Sequence, residues 1–567
     1  MPNYNYARRE FLKKLSGMVD LPVEPIHSDI PASQFPEMAT ITLNGDLTPY
    51  NGPWGFDQAA HLLRRTTFGV RKGDVDQLVA LGSADAAVDF ILDVPVDAPA
   101  PPINNYNNPD FTDPDVPSGQ TWVNALPDFT GQAEGFRIES WRGWWLQHMV
   151  ESEPHIREKM TLFWHNHFAT QTSEVFIGRL AYQNNALLRS MALGNFKALV
   201  RAVTLDPMML VYLNGYLNHK DAPDENYSRE LQELFTVGKD TLDHYTEDDV
   251  VAAARVLTGW RINPSTADVF LDFTAHDTSN KQFSSFYNNT VITGSINGDA
   301  ELDALLDMIF NTNEVAAYIC RKIYRYFIYY KIDQTVEDDI IQPLAQVFRD
   351  NNYDIKPVLE TLFKSEHFFD AMNTGCYIKN PIDLMAGVLR NFNQNIETST
   401  LLDSFLMPLY LNYTANSMQM LPGDPPNVAG WSAYRQLPVY YRIWVTADTI
   451  RNRNIFSDTM TLYYYETPND RLNVDSVAMA EQFDSPDDPN MLLDDILRLL
   501  LPQEISLAKK TLLKSILLSG QTNDFYWTLA WNNYVNNPGD QMAYETVRFR
   551  LALLHKYIMN LPEYQLA

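Results

Sequence analysis

Apolar and polar residues recur with a helical period along most of the chain, and the pattern is clearest between Pro223 and Gly238. Four apolar residues there fall at i, i+4, i+7 and i+8 and predict a face that packs on the rest of the protein: Tyr227, Leu231, Leu234 and Phe235. Asp224 stands where an N-cap belongs, and Gly238 stands where a left-handed C′ residue belongs. The sequence therefore predicts a short helix with both of its ends marked.

A second face of the same predicted helix is polar throughout. Its members fall at i, i+3, i+4 and i+7: Asn226, Arg229, Glu230 and Glu233. One interpretation is a surface stripe in which Arg229 pairs with neighbouring carboxylates. The other is a polar cleft in which Glu230 and Glu233 transfer protons or bind a metal ion.

Helical patterns also dominate the remaining chain, whereas strand signals are few and short. Pro, Asn and Asp crowd residues 97–131 without any period, which indicates an inserted loop. We therefore expect a mostly α fold: a single large multi-helix domain with long irregular loops and few short strands. The expected division is an N-terminal extension over 1–50 and a helical domain over 51–567, whose C-terminal helical part begins at about 480.

Two local patterns add detail to that division. An apolar period predicts one helix over Val75–Ile91, and Thr246 with Asp249 predicts a capping box at the start of another.

A His-x-His pair, His165 and His167, ends a further predicted helix that starts near Pro154. Residues two apart point about 200° away from each other on a helix, so the two imidazoles share one ion only if the helix has already ended. His167 lies on the apolar side of this helix. It is either a core histidine with a satisfied hydrogen bond or a ligand or general base.

A polar, irregular stretch follows the central helix and contains His276, Asp277 and Lys281. A His beside an Asp in a loop is typical of an exposed turn, and it also suits a metal ligand or a base. Both interpretations stay open from the sequence.

The net charge of -28 makes a phosphate-binding surface improbable, so nucleic acid is not an expected partner. Only two cysteines occur, Cys320 and Cys376, which excludes a disulfide framework and a Cys-based zinc site. No apolar run reaches about 18 residues, so we expect no transmembrane segment. The chain contains no Gly-x-Ser-x-Gly, Walker, dinucleotide-glycine or His-Glu-x-x-His motif, and the commonest nucleotide and hydrolase designs are therefore not indicated.

Arg8 and Arg9, followed by Phe11, Leu12 and Lys13, have the form of a twin-arginine export signal. Polar residues and proline between positions 15 and 25 interrupt the apolar segment that such a signal needs. The segment is either a degenerate signal, which would place the protein in the periplasm or envelope, or a short basic helix of a cytoplasmic protein.

Five stretches in the same order resemble one bacterial family, known as domain of unknown function 1800: Ala60–Gly69, Arg157–Phe168, Glu225–Gly238, Ala254–Trp260 and Pro425–Trp431. The resemblance extends to His276, Asp277 and Lys281 and to the closing Pro562–Gln565, and it covers the chain from about residue 54. It implies no activity, since the family itself has none assigned. Many members carry twin-arginine signals, which favours an envelope location and a protein partner there.

Two hypotheses follow. The first is an enzyme with metal-assisted or acid/base hydrolytic chemistry, using Zn, Mn or Fe if it binds a metal. We expect separate helical segments to bring these ionisable side chains into one common hollow. The proposed metal ligands are His167, Glu230, Glu233, His276 and Asp277. The proposed catalytic groups are Glu230, Glu233, His167, Arg229, Arg157 and Lys281. The second is a non-enzymatic scaffold or binding protein in which the same polar residues form a structural salt-bridge network.

Overall fold

The structure is a computed structural model and describes residues 46–94, 98–128, 131–239 and 244–567. The prediction of a twin-arginine-like segment at Arg8 and Arg9 lies outside the described residues.

The fold is mostly α and forms a single large domain, as predicted. Up to residue 256, the helices of the described chain are Phe56–Thr66, Lys72–Ala80, Ala84–Leu92, Gln132–Glu151, Arg157–His167, Thr172–Val175, Gly178–Ser190, Phe196–Thr204, Pro207–Tyr212, Asn226–Glu230 and Glu247–Val256. The later helices are Gly298–Phe310, Glu314–Phe327, Gln334–Val336, Gln342–Asp350, Ile355–Phe363, Pro381–Asn391, Leu401–Ser417, Ala447–Leu462, Ser476–Ala480, Pro489–Leu500, Leu507–Leu517, Phe525–Asn536 and Gln541–Met559. Leu231–Thr236 and Glu337–Ile341 are π-helical.

The strands are short and pair only as antiparallel two-stranded ribbons in the described chain. Trp260–Ile262 pairs with Val269–Leu271, in the register Trp260 to Leu271. Lys281–Gln282 pairs with Val291–Ile292, and Tyr465–Glu466 pairs with Arg471–Leu472.

Side-chain caps explain several helix boundaries. The predicted capping box is present: the Thr246 hydroxyl accepts from the amide of Asp249, whose carboxylate accepts from the amide of Thr246. The single helix predicted over Val75–Ile91 was wrong, because Gly82 takes a left-handed φ of 81° and Ser83 caps a new helix.

The core contains large aromatic side chains and also many charged ones. Trp122, Trp145 and Trp164 are fully buried. Buried charges are paired across segments that are distant in sequence: Arg390 with Asp74, Lys159 with Asp383, Arg189 with Glu158, Arg137 with Asp113 and Lys281 with Glu301. Such pairs hold helices in one arrangement, because a buried charge that loses its partner is strongly destabilising.

One of these pairs fixes the long irregular loop. Residues 98–128 form isolated bridges rather than helices. The guanidinium of Arg137, on the helix Gln132–Glu151, donates to both oxygens of Asp113 at 3.0 and 3.1 Å, and the Tyr106 hydroxyl donates to the same carboxylate at 2.7 Å.

Residues of the sequence motifs also make contacts between distant segments. Arg64 donates to the carbonyls of Leu499 and Leu501, at the end of the helix Pro489–Leu500. A Cβ on Gly430, whose φ is 77°, would lie 2.3 Å from the carbonyl oxygen of Asn166. The Pro425–Trp431 and Arg157–Phe168 motifs therefore touch backbone to backbone.

Candidate functional site

The central helix, residues 226–236, begins as an α-helix and becomes a π-helix at Leu231. Tyr227, Leu231 and Phe235 are buried as predicted, while Leu234 is half-buried. Gly238 ends the segment with a φ of 80°, and a Cβ there would lie 2.6 Å from the ring of Tyr318. The predicted stop signal at Gly238 is confirmed, but the π-helical turn was not predicted.

His167 binds a carbonyl near the end of this π-helix. Its Nε2 lies 3.0 Å from the carbonyl oxygen of Phe235, and its Nδ1 lies 3.0 Å from the ammonium of Lys322. A carbonyl only accepts and an ammonium only donates, so Nε2 carries the proton and Nδ1 accepts. Burial holds the pKa of His167 well below its usual value, and the charge of Lys322 lowers it further. His167 is a neutral imidazole with both nitrogens occupied.

The next carbonyl back is satisfied in the same way. Lys322 donates to the Leu234 oxygen at 3.0 Å, and the Tyr318 hydroxyl donates to it at 3.1 Å. Leu234 and Phe235 lie in the last turn before Gly238, where carbonyls lack amide donors from their own helix, and these side chains supply donors instead.

The polar stripe is largely a surface network. Arg229 binds the Glu247 carboxylate at 2.7 and 3.0 Å and Glu225 at 3.0 Å. Lys239 pairs with Glu233 at 2.6 Å. Arg229 and Glu233 keep about a third of their side-chain surface exposed, and Glu247 is 70% exposed. Exposed pairs of this kind contribute little to stability.

Glu230 differs from its neighbours on the stripe. It is half-buried, and within the described part of the chain its carboxylate has no hydrogen-bond or ion-pair partner. Burial raises the pKa of Glu230, and the nearby charge of Glu233 raises it further. A carboxyl group with these properties is suited to proton transfer.

His276 and Lys281 meet on one carboxylate, Glu301. Nε2 of His276 lies 3.3 Å from one Glu301 oxygen, and the Lys281 ammonium binds the other oxygen. Nδ1 of His276 lies 2.7 Å from the carbonyl oxygen of Thr258. Both ring nitrogens face acceptors, so both carry protons and His276 is an imidazolium. The hydrogen bond that His276 donates to Glu301 raises the pKa of His276 accordingly. All three side chains are at most 2% exposed.

Asp277 lies next to this network but pairs elsewhere. Arg255 donates to it at 2.7 Å, and the Ser279 amide donates at 2.8 Å. Burial disfavours the charged form of Asp277, but the hydrogen bonds from Arg255 and Ser279 lower its pKa to about 2.

Arg157 is half-buried at the start of its helix. Burial lowers the pKa of the neighbouring His155, and the charge of Arg157 lowers it further.

The five proposed metal ligands are not brought together. Each has its own surroundings: His167 with Lys322, Glu233 with Lys239, His276 with Glu301, Asp277 with Arg255, and Glu230 without a bonded partner in the described chain. Across the residues that the structure describes, no three His, Cys, Asp or Glu side chains are grouped closely enough to hold a metal ion. A single metal centre that unites them is therefore not found there.

Sequence reasoning missed Glu301 and Lys322, which organise these networks. Lys322 lies on a helix with a strong apolar period, Glu314–Phe327, and Glu301 lies in the first turn of Gly298–Phe310. In the sequence each of them looks like an ordinary exposed charge. One sequence carries no signal for a contact with a residue 20 or 155 positions away.

The fold and these contacts define a mostly α protein built around buried ion pairs. A family model described as a protein of unknown function, DUF1800, matches residues 61–566, and the chain belongs to this family. Comparisons with curated proteins and with solved structures give no match. No helix of the described chain combines the length and apolar character needed to cross a membrane.

Proposed function

We propose that the protein is a non-enzymatic scaffold or binding protein in which the charged motif residues form a structural network. The observation that supports this most is the closed set of Lys281, His276 and Glu301. Each of these buried groups already has a partner of opposite charge, so none is left to act on a substrate. His167 is occupied in the same way by Phe235 and Lys322.

The space beside the central helix supports the same conclusion. A cavity lined by Asp224, Tyr227 and Ser228 has a volume of about 10 Å³. That is room for about one water molecule, whereas small-molecule sites typically need about 300 Å³ or more.

A second function is favoured by one residue, Glu230. Its raised pKa and its lack of a bonded partner in the described chain suit a general acid or base that needs no metal. This is the acid/base form of the enzyme hypothesis.

A turnover screen separates the two functions. Wild-type protein, Glu230→Gln and the control Asp248→Asn are assayed with chromogenic esters, phosphate esters, glycosides and peptides, with and without Zn²⁺ or Mn²⁺. Asp248 is an exposed carboxylate on the neighbouring helix Glu247–Val256, so its variant changes the net charge equally. We expect no turnover that depends on Glu230. A reaction that Glu230→Gln abolishes and Asp248→Asn retains, at an unchanged unfolding midpoint, would overturn the scaffold proposal.

A further inference from the structure

A groove of about 480 Å³ opens in the C-terminal helical part, where the helix Phe525–Asn536 ends and Gln541–Met559 begins. Its walls include Glu481, Tyr534, Val535, Pro538, Asp540 and Tyr544. This volume falls within the range of ligand and side-chain binding pockets.

Two tyrosines give the groove aromatic walls. The ring centroids of Tyr534 and Tyr544 are 5.9 Å apart, with an angle of 54° between the rings. Val535 beside them is 54% exposed. A cation that lies over a tyrosine face is attracted by the ring, and an apolar neighbour suits the carbon stem of a long basic side chain.

The charge around these rings is negative and uncompensated. Glu481 accepts the Tyr534 hydroxyl at 2.7 Å, while Asp475 and Asp540 cap the helices that begin at Ser476 and Gln541. None of these three carboxylates forms a salt bridge with any described residue, unlike the buried carboxylates of the core. Arg548, whose charge acts on Tyr544, already pairs with Glu545 at 2.8 Å.

The tyrosines respond to this negative charge. The hydrogen bond to Glu481 raises the pKa of Tyr534 to about 12, and burial adds to the effect. Burial raises the pKa of Tyr544, and the carboxylates of Asp475, Glu545 and Glu481 raise it further against the opposing charge of Arg548. The walls therefore favour a positive occupant.

We propose that this groove binds an arginine-bearing segment of a partner protein, with its guanidinium stacked on one tyrosine face and bound to the Glu481 carboxylate. The planar guanidinium stacks on aromatic rings and binds carboxylates in a bidentate manner, which a lysine ammonium does not. The carboxylates repel anionic lipid headgroups and nucleic acid, and a second copy of this chain would bring another net charge of -28 to the contact. The inference rests on the proposed binding role and names its partner class.

The test uses the full chain and a fluorescein-labelled, terminally blocked peptide of alternating Arg and Gly. Fluorescence anisotropy at low salt compares it with the matching Lys/Gly and Glu/Gly peptides. The variants are Glu481→Gln, which keeps an acceptor for Tyr534, and Tyr544→Leu. Asp248→Asn is the matched control, because it removes one exposed carboxylate from a different helix and changes the net charge equally.

We expect the Arg/Gly peptide to bind most tightly, Glu481→Gln to weaken it ~10-fold, and Tyr544→Leu to weaken it ~3-fold or more. Asp248→Asn should weaken it by less than ~2-fold. Equal losses in Glu481→Gln and Asp248→Asn would show general electrostatic attraction and overturn the proposal. Self-association that Glu481→Gln alters, without peptide binding, would also overturn it in favour of a second copy. Either of these results would remove only the proposal for the groove. A turnover that depends on Glu230 would instead remove the proposed non-enzymatic binding role.

Discussion

Replacing Lys281 with methionine tests whether the buried network supports the fold. The substitution keeps an unbranched side chain of similar length and removes one ammonium. The Lys281 side chain is fully buried, and its ammonium binds the Glu301 carboxylate and the carbonyl of Asp277. Lys281→Met therefore leaves a buried carboxylate without its closest cation.

The expected loss in unfolding free energy follows from what remains around Glu301. Breaking a buried pair by removing one partner typically costs about 3–5 kcal/mol. Glu301 retains the His276 imidazolium at 3.3 Å and the Ser295 amide at 2.6 Å. We therefore expect the lower end of that range, about 3 kcal/mol.

Urea denaturation followed by tryptophan fluorescence measures this loss, with an unchanged slope indicating a true change in stability. The double variant Lys281→Met with Glu301→Gln should recover part of the loss, because it removes the unpaired carboxylate charge and keeps a side-chain oxygen that accepts from His276. Arg229→Ala, which breaks a solvent-exposed pair, is the control and should leave the midpoint almost unchanged. If Lys281→Met costs no more than Arg229→Ala, the structural interpretation of the network is refuted.

Three further outcomes are expected. Burial raises the pKa of Asp206 to about 6, so the folded state binds this proton more tightly than the unfolded chain and stability falls as pH rises from about 4 to 6. Asparagine is an equally good helix N-cap, so Asp206→Asn should stabilise the protein at pH 7 and not at pH 4. Melting curves at both pH values would show this difference. Burial lowers the pKa of His165 to about 4, so the stability that the neutral imidazole contributes is lost as pH falls from about 6.5 to 4. His165→Gln should flatten that part of the plot of stability against pH. An unchanged slope would contradict a buried, neutral His165. Gly430→Ala should destabilise the protein by at least ~2 kcal/mol, because Gly430 has a left-handed φ and lies against Asn166. Gly73 has open space around it, so the control Gly73→Ala should be neutral or stabilising. Equal unfolding midpoints for the two variants would contradict the close approach of Gly430 to Asn166.

Local signals in the sequence predicted much of the fold. The mostly α class, the capping box at Thr246 and the glycine that ends the central helix each depend on neighbours within a few residues. Periodicity alone predicted one helix where the structure has two, because the apolar pattern continues across the turn at Gly82. Such a break depends on backbone conformation, which the period does not record.

The candidate site could be predicted only as a set of polar residues. Their types suggested a common hollow, but each partner comes from a distant segment: Lys322 for His167, and Glu301 for His276 and Lys281. The choice between a ligand and a satisfied core histidine depended on those partners. Helical geometry determines the direction of a side chain but not which residues it contacts.

The π-helical turn at Leu231–Thr236 has a consequence for insertions and deletions in this protein. A π turn accommodates one residue more than an α turn, and each residue of an α-helix rotates the following side chains by about 100°. Deleting one residue there would restore ordinary α-helix and swing Gly238 away from the Tyr318 ring that its missing side chain accommodates. The carbonyls of Leu234 and Phe235 would move as well, and the hydrogen bonds that Lys322 and His167 donate to them would be lost. The length of this segment is thus as strictly determined as its composition.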